Sequence, residues 1–480
     1  MSSLKKETIR GVTWTTIERI TTYVIQFVIS IIIARIISPE DFGIVGMLSL
    51  FMSLSATLLD SGFTSALIRK QERTNIDYCT AFHFNVVIGA FLYGVLFCAA
   101  PAIAKFYNTP ILTTVTRVYC ITLFINSLTI VQTAKFNIEL NFRIQSLITI
   151  FTTVLTGIIG VFLAYGGFGI WTLVFHSIAS SSIRCILIWW FAKWSPKFIF
   201  SWKSFTDLFG FGSKLLVSSI INTIYVNIHT LIIGKIFTSS EVGYYNRANQ
   251  FSLLPSQSTT EIITKVAFPV LSKLQEDKSK LMHAYSLILV IPLFFLFPIL
   301  IAMSIMSEEI VVVLIGEKWI PCVPYMQVLC IGYMFYPLTH INLNLLYVRG
   351  RSDLVLKLEV IKKPIAFAIL IVSIPFGIYW MIIGKACYEF IAFTLNCYYT
   401  GKILDFGLFK QIKQIFPIIF RSSLMGVFIY LSCLLFDGNI EKLFIGTLTG
   451  IISYLLLCIV MHDRSFYYCL EELKKRKLKF

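Results

Sequence analysis

Four apolar stretches of this chain carry polar side chains every three or four residues. The first holds Thr15, Glu18, Arg19, Thr22, Gln26 and Ser30, and the second holds Ser49, Ser53, Thr57, Asp60 and Thr64. A third holds Lys214, Ser218, Asn222, Tyr225 and His229, and a fourth holds Arg247, Gln250, Ser258, Glu261 and Lys265. That spacing puts each set near one helical face. Rows of hydroxyls and carboxamides can bind a polyol, because they supply donors and acceptors together. Cations among them can hold an anion, and arginine does so with a planar fork. The chemistry on offer is therefore recognition. No phosphate-binding G-x-x-x-x-G-K-[ST], H-E-x-x-H or nucleophile elbow is present. Eleven scattered cysteines form no C-x-x-C pair and read as small core residues. No catalytic residue, metal site or cofactor is expected.

Each candidate has a plainer reading. Glu18, Arg19 and Lys214 stand near the ends of their stretches, where long side chains reach back to the interface. Asp60 ends its stretch in the same way. Lys385 and Glu389 are four apart, the spacing of an intrahelical ion pair. Lys362 and Lys363 precede Pro364, where a helix is expected to break. His229 fits a packing role better than a proton relay, and Ser or Thr alone also bonds helix to helix. On the functional reading, Arg19, Lys214, Arg247, Asn222, Tyr225 and Gln250 bind substrate. Glu18, Asp60, Glu261 and Glu389 are then the candidates for ion coupling.

These stripes need long apolar helices to carry them. The chain has 480 residues, of which 57% are hydrophobic and 14% charged. A soluble domain carries about 25% charged residues. Such a composition implies a polytopic membrane protein, and runs of roughly 20 apolar residues without alternation imply helices rather than a barrel. About 14 spans are legible in this way. The net charge of +16 would suit nucleic acid, but the bases cluster in short loops between spans. By tally about 27 loop and terminal bases lie on one side and about 5 on the other, which puts both termini in the cytoplasm.

A ten-residue stretch also recurs at a period of 200. Ala34-Arg35-Ile36-Ile37-Ser38-Pro39-Glu40-Asp41-Phe42-Gly43 matches Gly234-Lys235-Ile236-Phe237-Thr238-Ser239-Ser240-Glu241-Val242-Gly243 in the places of its base, hydroxyl, acid and last glycine. With six spans per repeat, both halves enter from the same side. They form parallel repeats, as in transporters whose lobes face one another. The expected fold is all-α and polytopic: two parallel six-helix repeats form a V-shaped pair of lobes, followed by a C-terminal helical hairpin. The boundaries are 1–200 for helices 1–6, 201–405 for helices 7–12, and 406–480 for the hairpin and a basic tail.

Several segments, in order, resemble one family. They are Ala100-Pro101-Ala102-Ile103-Ala104-Lys105-Phe106-Tyr107, Leu140-Asn141-Phe142-Arg143, Gly167-Phe168-Gly169-Ile170-Trp171, Phe209-Gly210-Phe211-Gly212 and Ile232-Ile233-Gly234-Lys235. Val242-Gly243-Tyr244-Tyr245-Asn246-Arg247-Ala248, Phe268-Pro269-Val270-Leu271-Ser272 and Gly316-Glu317-Lys318-Trp319 follow. Over roughly residues 5–400 the chain resembles the bacterial polysaccharide repeat-unit flippases of the multidrug/oligosaccharidyl-lipid/polysaccharide exporter superfamily. The resemblance implies transfer of an undecaprenyl-pyrophosphate-linked oligosaccharide from the cytoplasmic to the outer leaflet of the inner membrane. It implies a role in lipopolysaccharide, capsule or exopolysaccharide synthesis. It also implies a cationic cavity, in which Arg19, Lys214 and Arg247 would meet the pyrophosphate. The expected partners are that lipid-linked substrate, membrane lipids and the polymerase and chain-length machinery, with no nucleic acid. A drug or cation antiporter of the same fold is the alternative and should centre on buried carboxylates. A membrane polymerase or ligase would need a larger outer loop than the stretch around 307–321.

Overall fold

The computed structural model describes residues 2–60, 62–463, 466–468 and 471, without the side chains of 2–17, 20, 211, 214 and 215. Among the described residues every regular element is a helix. The chain divides into two compact units, Met1–Gly243 and Tyr244–Phe480.

The first unit opens with α1 (Ser2–Ile36), then α2 (Pro39–Met47), α3 (Ser49–Asp60) and α4 (Phe63–Arg69). The long α5 (Asn75–Tyr107) follows, then three short pieces, α6 (Leu112–Tyr119), α7 (Ile121–Ser127) and α8 (Ile130–Ile138). The unit continues through α9 (Phe142–Tyr165), α10 (Ile170–Ala192) and α11 (Trp202–Ile236). Glycine sets the approach of α9 to its neighbours. A Cβ at Gly157 would strike the Ile29 side chain of α1, and one at Gly160 would stand 2.8 Å from the His176 ring of α10. Small residues permit such contact where lipid supplies no hydrophobic drive between helices. α11 packs on α3, α4 and α5. At that corner Gly62 takes φ 69°, open to glycine at little cost. A Cβ there would also stand 2.6 Å from the Gly212 Cα, so the Gly212 segment rests directly on the chain entering α4.

The repeated decapeptides form matching turns. Ser38 caps α2, its Oγ accepting from the Asp41 amide at 3.1 Å. Thr238 precedes α12 (Ser239–Lys273) and accepts from the Glu241 amide at 3.3 Å. The two turns lie against one another with the same period of 200. A Cβ at Gly43 would overlap the Ser239 carbonyl oxygen, and a Cβ at Gly243 would overlap the Pro39 carbonyl oxygen.

The second unit contains the rest of α12, then α13 (Lys278–Ile305), α14 (Ser307–Ile315), α15 (Val323–Tyr333) and α16 (Tyr336–Val348). It ends with α17 (Ser352–Ser373), α18 (Ile378–Leu404), α19 (Leu408–Cys433) and α20 (Asn439–Val460). α17 continues through Pro364, so the break expected there does not form. The last hairpin is fastened at two levels. Tyr454 donates to the Phe294 carbonyl at 2.8 Å, and buried Arg421 pairs with buried Asp463. A wholly buried hub around Asn342 ties α19 to the core. Its Oδ1 accepts from Tyr285 at 3.0 Å, Thr400 at 2.6 Å and Gln411 at 3.0 Å.

Among the described residues ten helical stretches are long and apolar enough to cross a membrane, against about 14 spans expected from the sequence. The shortfall is informative. α1 has only a short apolar part, Thr21–Ile36. The polar α12, the α15–α16 pair divided at residues 334–335, and α17 with its three lysines do not qualify. Three of those four stretches contain charged candidates, and the fourth contains the Asn342 hub.

Candidate functional site

In the first unit, Thr57 of the second polar stripe touches the helix that carries the third. Thr57 of α3 and Thr223 of α11 lie 3.0 Å apart, hydroxyl to hydroxyl. Asn222 is exposed and Tyr225 half-buried on the same helix. Asp60 accepts from Thr64 at 2.6 Å, one turn on, and takes part in the end of its own helix rather than in the stripe contact. Lys214 has its side chain outside the described residues. Glu18 and Arg19 are half-buried on α1. Glu18 accepts from Ser146 of α9 at 3.2 Å and acts electrostatically on Arg184 of α10. Arg184 is a cation that sequence reasoning missed. Its signal is a lone arginine inside the apolar stretch that forms α10.

In the second unit, Arg247 and Gln250 come together as their spacing implied. The guanidinium donates to Gln250 Oε1 at 2.9 Å and lies 5.6 Å from the Trp319 ring. Arg247 is only 5% exposed. Trp319 is fully buried, and Tyr244 meets its ring edge-on with centroids 6.1 Å apart. Two sequence-distant segments of the family resemblance, around Arg247 and Trp319, thus form one contact. An aromatic face attracts a cation through its ring quadrupole and so helps to hold the guanidinium.

A larger ionic cluster was not foreseen. The Lys385 ammonium donates to Tyr245 Oη and Asn249 Oδ1 of α12, both at 2.8 Å, rather than closing the expected pair with Glu389. It sits 5.2 Å from the Tyr245 ring and 5.4 Å from the Tyr333 ring. Tyr333 donates to the same Asn249 oxygen. Glu389 feels the charges of Lys385, Lys362 and Lys363. On α17, Glu359 pairs with Lys362, whose side chain is 4% exposed, and with Lys363 at 3.6 Å. Three lysines and two carboxylates therefore cluster in one unit, with Lys362 buried and the Glu359 side chain 36% exposed. Glu261 accepts from Gln257 at 3.4 Å on α12.

An apolar groove of about 500 Å³ runs along the same unit. Ile301 and Ile305 of α13, Ile331 of α15, and Ile419 and Val427 of α19 line it. Among the described residues no cluster of three or more His, Cys, Asp or Glu could hold a metal.

The model of the polysaccharide biosynthesis protein family matches residues 32–324. The teichuronic acid biosynthesis protein TuaB of Bacillus subtilis (strain 168) is 28% identical over 359 residues, 74% of each chain. The lipopolysaccharide biosynthesis protein WzxC of Escherichia coli (strain K12) is 27% identical over 368 residues, 75% of this chain and 74% of its own. A solved structure of the lipid II flippase MurJ in an inward closed conformation aligns with a TM-score of 0.77 at 16% identity, over 95% of this chain and 99% of MurJ. At that identity the likeness concerns the fold.

Proposed function

Because this chain belongs to the polysaccharide biosynthesis protein family, we propose that it is a flippase for lipid-linked oligosaccharides. Its substrate is an undecaprenyl-pyrophosphate-linked repeat unit, moved from the cytoplasmic to the outer leaflet by alternating access. The protein is a transporter in surface-polysaccharide synthesis, not an enzyme. We place it in the bacterial inner membrane with both termini cytoplasmic, a reading that the loop bases support. The lobes are 1–200 and 201–405, with a hairpin and tail at 406–480.

One observation carries this reading: cations are buried in the helices while part of their charge is met by neutral groups. Arg247 is met by Gln250 and Trp319, and Lys385 by Tyr245, Asn249 and tyrosine rings. Ionisable groups at membrane depth are costly and mark function. A diphosphate suits cations held in this way. Arg19 and Lys214 are assigned to the same task, and Asn222, Tyr225 and Gln250 to the sugar. The groove along α13, α15 and α19 accepts the prenyl chain, whose methylenes match its isoleucines and valine. Among Glu18, Asp60, Glu261 and Glu389, the last is the foremost ion-coupling residue, because three lysines act on it. The antiporter alternative fits less well, since cations outnumber carboxylates in that cluster.

Deletion of the gene should cause lipid-linked repeat units to accumulate on the cytoplasmic side while surface glycan disappears. Normal surface glycan in the deletion strain, with no second flippase gene present, would refute the function.

A further inference from the structure

The segment joining α10 to α11 has two faces of opposite character. Its inner face is fastened to the start of α5. Trp194 donates to Asn75 Oδ1 at 2.9 Å, the Lys197 amide to Cys79 Sγ at 3.3 Å, and the Ser201 amide to Thr80 Oγ1 at 3.1 Å. Phe205 stacks beyond it on Phe209 with centroids 5.4 Å apart. The outer face is far less covered, although the Phe198 ring stands 5.7 Å from the His83 ring and Trp202 5.1 Å from Phe205, centroid to centroid. Phe198 is 100% exposed and Trp202 69%, and Ile199 and Phe200 are exposed beside them. Lys193, Lys197 and Lys203 alternate with these rings and are exposed as well. The exposed acids nearby are Asp207, close in sequence, and Glu72, in the loop before Asn75, to which Trp194 is bonded.

A rigidly held strip of aromatic rings and ammonium groups at the ends of membrane helices suits one environment. Aromatic rings settle at the boundary between headgroups and acyl chains. Lysines draw anionic headgroups from within a Debye length. Three lysines against two acids leave the strip positive. From this geometry we infer that residues 193–203 form a docking surface for anionic phospholipid headgroups, with Phe198, Phe200 and Trp202 inserted beneath them. The charge of the strip selects the anionic lipid, and the ring positions keep the contact at the membrane surface. The proposed topology puts this end of the helices at the cytoplasmic leaflet. The contact then fastens to lipid the segment that leads from α10 into α11.

Amide hydrogen exchange on the full-length protein in nanodiscs tests this. One set of discs contains phosphatidylcholine alone, and the other contains phosphatidylcholine with 30% phosphatidylglycerol. Both faces of a disc present the same lipid, so the result depends neither on sidedness nor on the flippase reading. Each base near an anionic surface contributes roughly a fivefold preference. The amides of 193–203 should therefore exchange at least about fivefold more slowly in the anionic discs. The variant K193Q/K197Q/K203Q should exchange alike in both. Replacing Phe198 and Trp202 by Ser should speed exchange in both discs and leave a weaker lipid dependence. Millimolar inorganic phosphate added to the neutral discs should give no protection, which separates a headgroup from a free anion. Equal exchange of the unaltered protein in the two discs would overturn the inference. So would an undiminished lipid dependence in the triple glutamine variant, or full protection by phosphate alone.

Discussion

The turn before α2 and the turn before α12 are built alike, yet the helices they start are not. Both turns place a capping hydroxyl three residues ahead of an acid, at 3.1 Å for Ser38 and 3.3 Å for Thr238. Beyond the turn, α2 stops after nine residues and the chain continues in the separate pieces α3 and α4. α12 instead runs for 35 residues through Pro255 and Pro269. The counterpart of Arg247, 200 positions earlier, is Met47, which is fully buried. The counterpart of Gln250 is Leu50, buried as well. The repeat has kept its turn and let its interior chemistry diverge.

The strongest way to break this comparison is at the glycines. Neither Gly43 nor Gly243 has positive φ, so space alone decides the outcome. Alanine at either site collides with a carbonyl oxygen of the other turn. Overpacking of this kind costs about 1–3 kcal/mol when side chains can yield, and backbone yields less. Gly43→Ala and Gly243→Ala should each abolish glycan export in a deletion strain while protein abundance in the membrane stays near normal. Export by one variant and not the other would show that the turns are not equivalent in use.

The second prediction concerns buried charge. Removing one partner of a buried ion pair leaves the other uncompensated, at about 3–5 kcal/mol. Asp463→Ala should therefore strongly lower thermal stability in detergent, and Arg421→Met with Asp463→Leu should recover most of it. A stable single variant would mean that the pair does not hold the hairpin.

Much of this was legible from spacing. The stripes, the helical stretches, the repeated turn and the Arg247–Gln250 contact all follow from neighbours on one helix or from the period of 200. What spacing hid lies between helices. Lys385 finds its partner Tyr245 at a separation of 140 positions, and Asn342 finds Gln411 at 69. The i,i+4 rule pointed Lys385 at Glu389 because that rule sees only one helix. The segmentation of 39–69 and 112–138 was also hidden. The breaks at Leu48, Cys120 and Leu128 are all in ordinary right-handed geometry, with neither proline nor glycine at the break residue itself, and only the break before α4 has a glycine, Gly62 at φ 69°.

A third prediction sharpens the contrast between Arg247 and Met47. A charge-assisted hydrogen bond is worth about 1.5–3 kcal/mol, so Arg247→Ala should weaken substrate binding roughly 10- to 150-fold. Arg247→Lys should restore it only in part, since lysine keeps the charge but not the fork. Met47→Ala should instead lower stability and leave the affinity of the folded protein unchanged. Competition with a water-soluble pyrophosphate-linked sugar on purified protein would measure all three. Unchanged affinity in Arg247→Ala would remove Arg247 from the binding residues.

The smallest effect gives the most direct test of the paired turns. Removing a capping hydroxyl costs about 1 kcal/mol, so Ser38→Ala and Thr238→Ala should each lower unfolding stability by about that amount. Ser38 should cost slightly more, because its hydroxyl also donates to Asp41 Oδ2 at 2.8 Å. The informative quantity is the double variant. Distant sites add to within about 0.3–0.5 kcal/mol, whereas sites in contact couple by about 0.5–3 kcal/mol. The caps are 200 positions apart in sequence, but the turns they hold rest against each other through Gly43 and Gly243. Once either cap is lost, its turn loosens and the other has less to press against. The double variant should thus lose less than the sum of the singles, by at least about 0.5 kcal/mol. Simple additivity in a chemical unfolding series would mean that each turn is held by its own cap alone, and that the contact between the two copies carries no stability.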